Sequence, residues 1–326
     1  SNQLILAIIL ALGVVFLNGM RDSSSIVATM ISSRAFSPRA ALGMTAIAEF
    51  AGPFLFGMTV AKTIGSDIVD SHVLTLDALM AGLLGALVWN LITWFFGIPS
   101  SSSHALIGGL TGAVFISAGV QAIKLPGLYK VLIALFASPI IGFVFGYIVL
   151  RIIYFFAQSA TPGINIFFKN GQFFTTTWLA FSYGANDGQK MIGVITLMLI
   201  VGGQMSKFAI PFWVTLFSAS AMAAGTLLGG WRLIRTLGGK FYKIRPVHSF
   251  ASQMTSAIVI FVASLIGLPV STTQIVSSSI IGVGSSERLG KVRWGVAGDI
   301  LTAWLVTIPV SALFSAGIYW LINLGK

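Results

Sequence analysis

The sequence predicts an all-α polytopic membrane protein built from two inverted-topology repeats, with about 10–12 transmembrane segments that include broken or re-entrant helices. Three observations predict it. The chain has 326 residues, 56% of them hydrophobic and 8% charged, whereas soluble domains carry about 25% charged residues. Its apolar residues gather into ten long runs. Motifs of the first five runs recur, in order, in the second five. A mean hydropathy of +0.95 and the lack of a long polar stretch leave no room for a separate soluble domain. The two halves are expected at 1–160 and 161–326.

The first set of runs lies near 3–33, 40–61, 73–97, 99–119 and 128–157; the second lies near 173–202, 208–229, 248–267, 269–286 and 294–323. A helix crosses the hydrocarbon core with about 20 apolar residues. The first run of each set is interrupted, by Asn18-Gly19-Met20-Arg21-Asp22 and by Tyr183-Gly184-Ala185-Asn186-Asp187. Charges at that depth are costly unless paired or hydrated, and a broken helix is the expected accommodation. The stretches 73–119 and 248–286 each read as two crossings or as one re-entrant hairpin, because their turns carry no charge to decide.

The chain carries 19 Lys and Arg against 8 Asp and Glu, a net charge of +11. Nucleic acid is rejected as a partner, because the basic residues fall in short loops between apolar runs. With the N-terminus outside, twelve of them lie in inside loops: Arg34, Arg39, Arg151, Lys169, the five from Arg232 to Arg245, Arg288, Lys291 and Arg293. Five lie outside: Lys62, Lys124, Lys130, Lys207 and Lys326. That asymmetry places both termini outside. No cysteine is present, which excludes disulfides, thiolate nucleophiles and Cys-ligated metals. The chain opens Ser1-Asn2-Gln3, and no cleavable signal peptide is expected.

The repeat is explicit. Phe16–Asp22 aligns with Phe181–Asp187, Pro99–His104 with Pro269–Gln274, and Ser138-Pro139 with Ile308-Pro309. An odd number of crossings per half makes the repeats antiparallel, the architecture of secondary transporters with a site near the midplane. Asp22 with Ser23, Ser24 and Ser25, and Asn186-Asp187 with Gln189, would begin half-helices after the breaks. Free N–H groups and a positive dipole end suit an oxyanion there. The carboxylates suit a hard cation such as sodium, or one of them a proton. A helix cap explains one such site but not two. Pro-Ser-Ser-Ser-Ser-His and Pro-Val-Ser-Thr-Thr-Gln supply hydroxyls beside further N–H groups, so four helix ends are expected to converge on a tetrahedral anion, phosphate or sulfate. Arg21 is a weaker candidate for the anion, since its mirror is Asn186. Glu49 is an intramembrane acid without a mirror acid, a candidate coupling acid or a hydrogen-bonded structural residue. Ser103 beside His104 raises an intramembrane serine hydrolase, but the mirror of His104 is Gln274, which keeps the hydroxyls and loses the base. A passive anion channel is the other class, separated from a symporter by ion dependence.

These residues carry a family resemblance over nearly the whole chain. Gly184-Ala185-Asn186-Asp187 resembles the duplicated motif of the inorganic phosphate transporter (PiT) family. Gly267–Thr273 is similar to its second repeated element, and Ala303–Pro309 to its late Trp-Val-Thr-Ile-Pro stretch. The resemblance implies sodium- or proton-coupled phosphate uptake, an inverted repeat and outside termini. It also implies that Asp22 and Asp187 are essential acids. The chain departs from the pattern in having Arg21 where Asn is usual, Gly188-Gln189-Lys190 where Val-Ala-Asn is usual, and a serine run after Pro99.

The expectation is therefore a non-enzymatic, cation-coupled phosphate symporter without a cofactor, in lipid, in the inner (plasma) membrane of a prokaryote. Phosphate is expected among Ser23, Ser24, Ser101, Ser102, Ser103, Gln189, Ser271, Thr272 and Thr273. Two or three sodium ions are expected beside Asn18, Asp22, Asn186 and Asp187. Proton coupling through Glu49 and sulfate as cargo are the alternatives, and the oligomeric state is open, a homodimer included. No Gly-x-x-x-x-Gly-Lys-Ser/Thr loop is present, which argues against ATP-driven transport within this chain.

Overall fold

The apolar runs fold as helices because backbone groups away from water must find partners within their own segment. The computed structural model describes residues 2–324; Ser1 and Lys326, the latter one of the five outside charges, lie outside the described residues. Among the described residues there are thirteen α-helices and no strand, only an isolated bridge between Val69 and Ile123. The first half holds α1 (Asn2–Ser32), α2 (Pro38–Leu55), α3 (Thr59–Ser66), α4 (Leu76–Phe96), α5 (Ser102–Ala118) and α6 (Leu125–Phe156). The second holds α7 (Ile164–Tyr183), a π turn (Gly184–Gly188), α8 (Gln189–Val201), α9 (Phe212–Leu228), α10 (Trp231–Gly239), α11 (Pro246–Leu265), α12 (Thr272–Glu287) and α13 (Trp294–Asn323).

Five of these helices are long and apolar enough to span a membrane, seven if each bent pair is one span. The bent pairs are α2–α3, at 75°, and α9–α10, at 70°. Gly57 (φ 72°) and Gly229 (φ 68°) stand at the two bends, in a left-handed conformation that glycine adopts without penalty. Large apolar side chains such as Ile133, Phe136, Ile140, Phe156 and Leu313 face outward, as a lipid-facing surface requires.

One expectation fails. The polar stretch 18–22 does not break its helix: α1 runs unbroken for 31 residues. The second polar stretch is a π turn within a continuous helical path rather than an interruption. The physical reason is that the polar side chains are held inside the protein. Arg21 donates to the carbonyl and hydroxyl of Ser100, at 3.1 and 2.8 Å, so the backbone need not open to accommodate it. Single-turn π bulges are frequent at functional sites.

Packing pairs the halves by exchange. The contacts α1–α9, α1–α10 and α5–α13 have counterparts in α7–α2, α8–α3 and α12–α6. Glycine permits the closest of them. A Cβ at Gly19 would strike the Met222 carbonyl, and one at Gly225 the Phe16 carbonyl. Gly184 and Gly52 meet the Glu49 and Phe181 carbonyls in the same way. Small residues at crossings let membrane helices approach backbone to backbone.

Candidate functional site

The site is assembled where two helical hairpins meet tip to tip. Left-handed glycines follow the ends of α4 and α11: Gly97 (φ 67°) is the C-cap of α4, and Gly267 (φ 69°) lies just past Ile266, the C-cap of α11. Pro99 and Pro269 follow, and Ser101 and Ser271 then cap α5 and α12. Each cap hydroxyl accepts from the backbone N–H three residues on, His104 at 3.1 Å and Gln274 at 3.4 Å. The two caps touch: Ser271 Oγ donates to Ser101 Oγ at 2.8 Å. Two positive helix ends thus face each other in the interior, and their first N–H groups have no intrahelical acceptor. Ser102, Ser103, Thr272 and Thr273 stand on those first turns, none more than 7% exposed.

The duplicated acids flank this junction. Asp22, Asp187 and Glu49 are buried and within electrostatic reach of one another. The Asp187 carboxylate accepts from the Thr272 hydroxyl through Oδ2 and from the Lys190 ammonium through Oδ1. Lys190 also donates to Ser103 Oγ and to the Val270 carbonyl, both at 2.6 Å. Asp22 differs, because its Oδ2 is buried without a hydrogen-bond partner. Asn18 lies one turn before Asp22 on the same face, and its Oδ1 is likewise unpartnered. The Asn186 amide nitrogen donates to Ser264 Oγ (3.0 Å) and the Leu268 carbonyl (3.1 Å), which turns its unpartnered Oδ1 to the other side. Arg21 keeps two donors, Nε and Nη1, buried and unpartnered.

The remaining expected residues are placed as follows. Ser23 donates to the Met20 carbonyl at 2.8 Å, within its own helix. Ser24 donates to the Gly230 carbonyl (2.9 Å) at the α9–α10 bend. Gln189, the mirror of Ser24, accepts from the N–H groups of Val60 and Ala61 and donates to the Gly57 carbonyl at the α2–α3 bend. Ser24 and Gln189 thus spend polar atoms on the two bends. The helix ends that converge are two, not four, because the acid-bearing segments are continuous. Glu49 Oε2 lies against the Thr226 hydroxyl, which also donates to the Gly19 carbonyl at 3.1 Å. His104 Nδ1 faces Ser101 at 2.7 Å, while Ser103 is engaged by Lys190 and Val270. No Ser103–His104 nucleophile pair is formed.

Sequence reasoning assigned no role to Lys190 or Thr226. A charge one helical turn beyond Asp187 was the available signal for Lys190.

Residues 18–315 match the family model of the phosphate transporter family. The chain belongs to that family. It is 44% identical to a probable low-affinity inorganic phosphate transporter of Bacillus subtilis (strain 168), over 98% of this chain and 97% of that protein. A relative of the same description from Rhizobium meliloti (strain 1021) is 41% identical, over 95% of this chain and 93% of that protein. The fold is that of a solved structure described as the sodium-dependent phosphate transporter, with a TM-score of 0.91 at 23% identity, covering 99% of this chain and 100% of that one. A member of this family is a membrane transporter, not an enzyme, and the hydrolase alternative is set aside.

Proposed function

We propose that the protein is a sodium-coupled symporter of inorganic phosphate in the inner membrane of a prokaryote, with both termini outside. Its halves, 1–160 and 161–326, are inverted repeats whose hairpin tips meet at the site. The observation that carries the reading is the head-to-head contact of the Ser101 and Ser271 caps beside buried acids. Opposed helix N-termini attract negative charge, and hydroxyls on their first turns replace water around an oxyanion. Ser101, Ser102, Ser103, Ser271, Thr272 and Thr273 surround the anion, with Ser23 beside them. Arg21 points its spare donors at it, a charge-assisted arrangement that strengthens each bond. Ser24 and Gln189 hold the bends in place.

Sodium takes oxygen ligands. Asn18 Oδ1, Asp22 Oδ2 and Asn186 Oδ1 are buried acceptors lacking donors, and such atoms are costly unless something satisfies them. A cation there also offsets repulsion between the acids and an incoming anion. A second reading, proton coupling, rests on one observation. The Thr226 hydroxyl has a single proton for two acceptors, Gly19 and Glu49. A proton on Glu49 would complete that chain.

The test is radiolabelled phosphate uptake into proteoliposomes, under an inward sodium gradient against an inward proton gradient, with sulfate as competitor. Uptake driven by sodium and indifferent to sulfate is expected. Uptake driven by protons alone assigns coupling to Glu49, strong sulfate competition displaces phosphate as cargo, and gradient-independent flux makes the protein a channel.

A further inference from the structure

The two acids are mirror residues, yet they are not equivalent. Asp187 has a lysine three residues on; at the same place after Asp22 the chain has Ser25. Lys190 is buried, 3% exposed. An ammonium has three N–H donors, and each of the three meets an oxygen: the Asp187 carboxylate, Ser103 Oγ and the Val270 carbonyl. These oxygens come from three separate segments: the π turn, the first turn of α5 and the tip between α11 and α12. A carboxylate, a hydroxyl and a carbonyl gathered from separate segments form the shell a hard cation takes. At Asp22, by contrast, acceptors are left over on the carboxylate itself and on Asn18, one turn before it.

We propose that Lys190 is a tethered cation. Its ammonium holds the place at Asp187 that an exchangeable cation would otherwise take, so a single exchangeable cation, at Asp22, is coupled to each anion. Lys190 is thus a residue that sets transport stoichiometry. The inference rests on the cation-coupled reading of the site and replaces two equivalent cation sites by one fixed and one mobile charge. The fixed charge travels with the protein and contributes nothing to the driving force.

The experiment reads steady-state accumulation in proteoliposomes, with voltage clamped at zero and pH equal on both sides except in the proton arm. Under a tenfold inward gradient, each coupled cation multiplies phosphate accumulation by about ten. Wild-type protein is expected to accumulate phosphate about tenfold, and Lys190→Ser, which restores the residue type of the other half, about a hundredfold. Lys190→Arg, which keeps the charge, is expected to stay near the wild-type ratio. Lys190→Ser that transports at the wild-type ratio overturns the proposal. So does wild-type accumulation near a hundredfold, a result that does not depend on any variant folding. Wild-type vesicles in which neither a sodium nor a proton gradient drives phosphate sink the symport reading itself, a distinct outcome.

Discussion

Gln189 separates two roles cleanly. Its side chain accepts from the Val60 and Ala61 N–H groups at 3.1 and 3.4 Å and donates to the Gly57 carbonyl at 2.5 Å. All of these lie at the α2–α3 bend and are removed in Gln189→Ala. A buried polar group left without its partner costs about 1–3 kcal/mol. Two strong bonds and one long one therefore predict a loss of about 2–5 kcal/mol, with the void left by the side chain adding to it. In detergent this reads as a faster rate of thermal inactivation, the appropriate measure where unfolding is irreversible. Gln189→Glu keeps the acceptor at the positive end of α3 and loses the donor to Gly57. It is expected to be less stable than wild type while its phosphate KM stays within about threefold, since under 1 kcal/mol of binding energy is at stake. If Gln189 touched phosphate, a carboxylate there would repel it. A Gln189→Glu protein of normal stability whose phosphate KM rises tenfold or more would refute the assignment to the bend.

Three further outcomes follow from the same geometry. Arg21→Gln removes the charge from the unpartnered Nε and Nη1 donors; a charge-assisted bond of about 1.5–3 kcal/mol implies a phosphate KM raised about 10- to 150-fold, read in uptake assays. Asp22→Asn removes the carboxylate of the proposed cation site and is expected to raise the sodium concentration for half-maximal uptake by more than about tenfold. Unchanged sodium dependence would remove Asp22 from the cation site. Gly184→Ala drives a methyl into the Glu49 carbonyl, so overpacking of about 1–3 kcal/mol should shorten the thermal half-life; equal half-lives in the two proteins would show that the crossing of α2 with the π turn can relax.

The fold was legible because lipid constrains sequence so strongly. Each of the ten apolar runs corresponds to a helix or a bent pair, and the repeat of Pro99–His104 in Pro269–Gln274 led to the two caps. What misled was depth without partners. Charge inside an apolar run reads as a break when its ligands lie far along the chain. Arg21 finds Ser100, 79 residues away, and α1 stays whole. Lys190 was visible as a charge, but its oxygens on Ser103 and Val270 lie 87 and 80 residues distant. The amphipathic α10 read as a basic loop because its arginines outweighed its short apolar face. Gln189 and Ser24 read as anion donors because a helix start was expected beside them; in a continuous helix their nearest open backbone groups belong to the bends.

If the protein is the proposed symporter, the meeting of the two caps gives the link between its two fluxes. Each helix end carries roughly half a positive charge, and the hydrogen bond from Ser271 Oγ to Ser101 Oγ (2.8 Å) brings the two ends close together. An anion beside the two ends relieves the repulsion between their dipoles, but Asp22 and Asp187 stand nearby and oppose it. A cation on the spare oxygens of Asn18, Asp22 and Asn186 reduces the opposition, and the anion in turn deepens the cation's site. Such coupling is reciprocal by thermodynamic necessity. Saturating sodium should therefore tighten phosphate binding to the detergent-solubilised protein by the same factor by which saturating phosphate tightens sodium binding, about 5- to 150-fold for a coupling of about 1–3 kcal/mol. Equilibrium binding with each isotope in turn measures both factors. If sodium leaves phosphate affinity unchanged, the acids do not oppose the anion, and the coupling of the two fluxes has no electrostatic origin at this site.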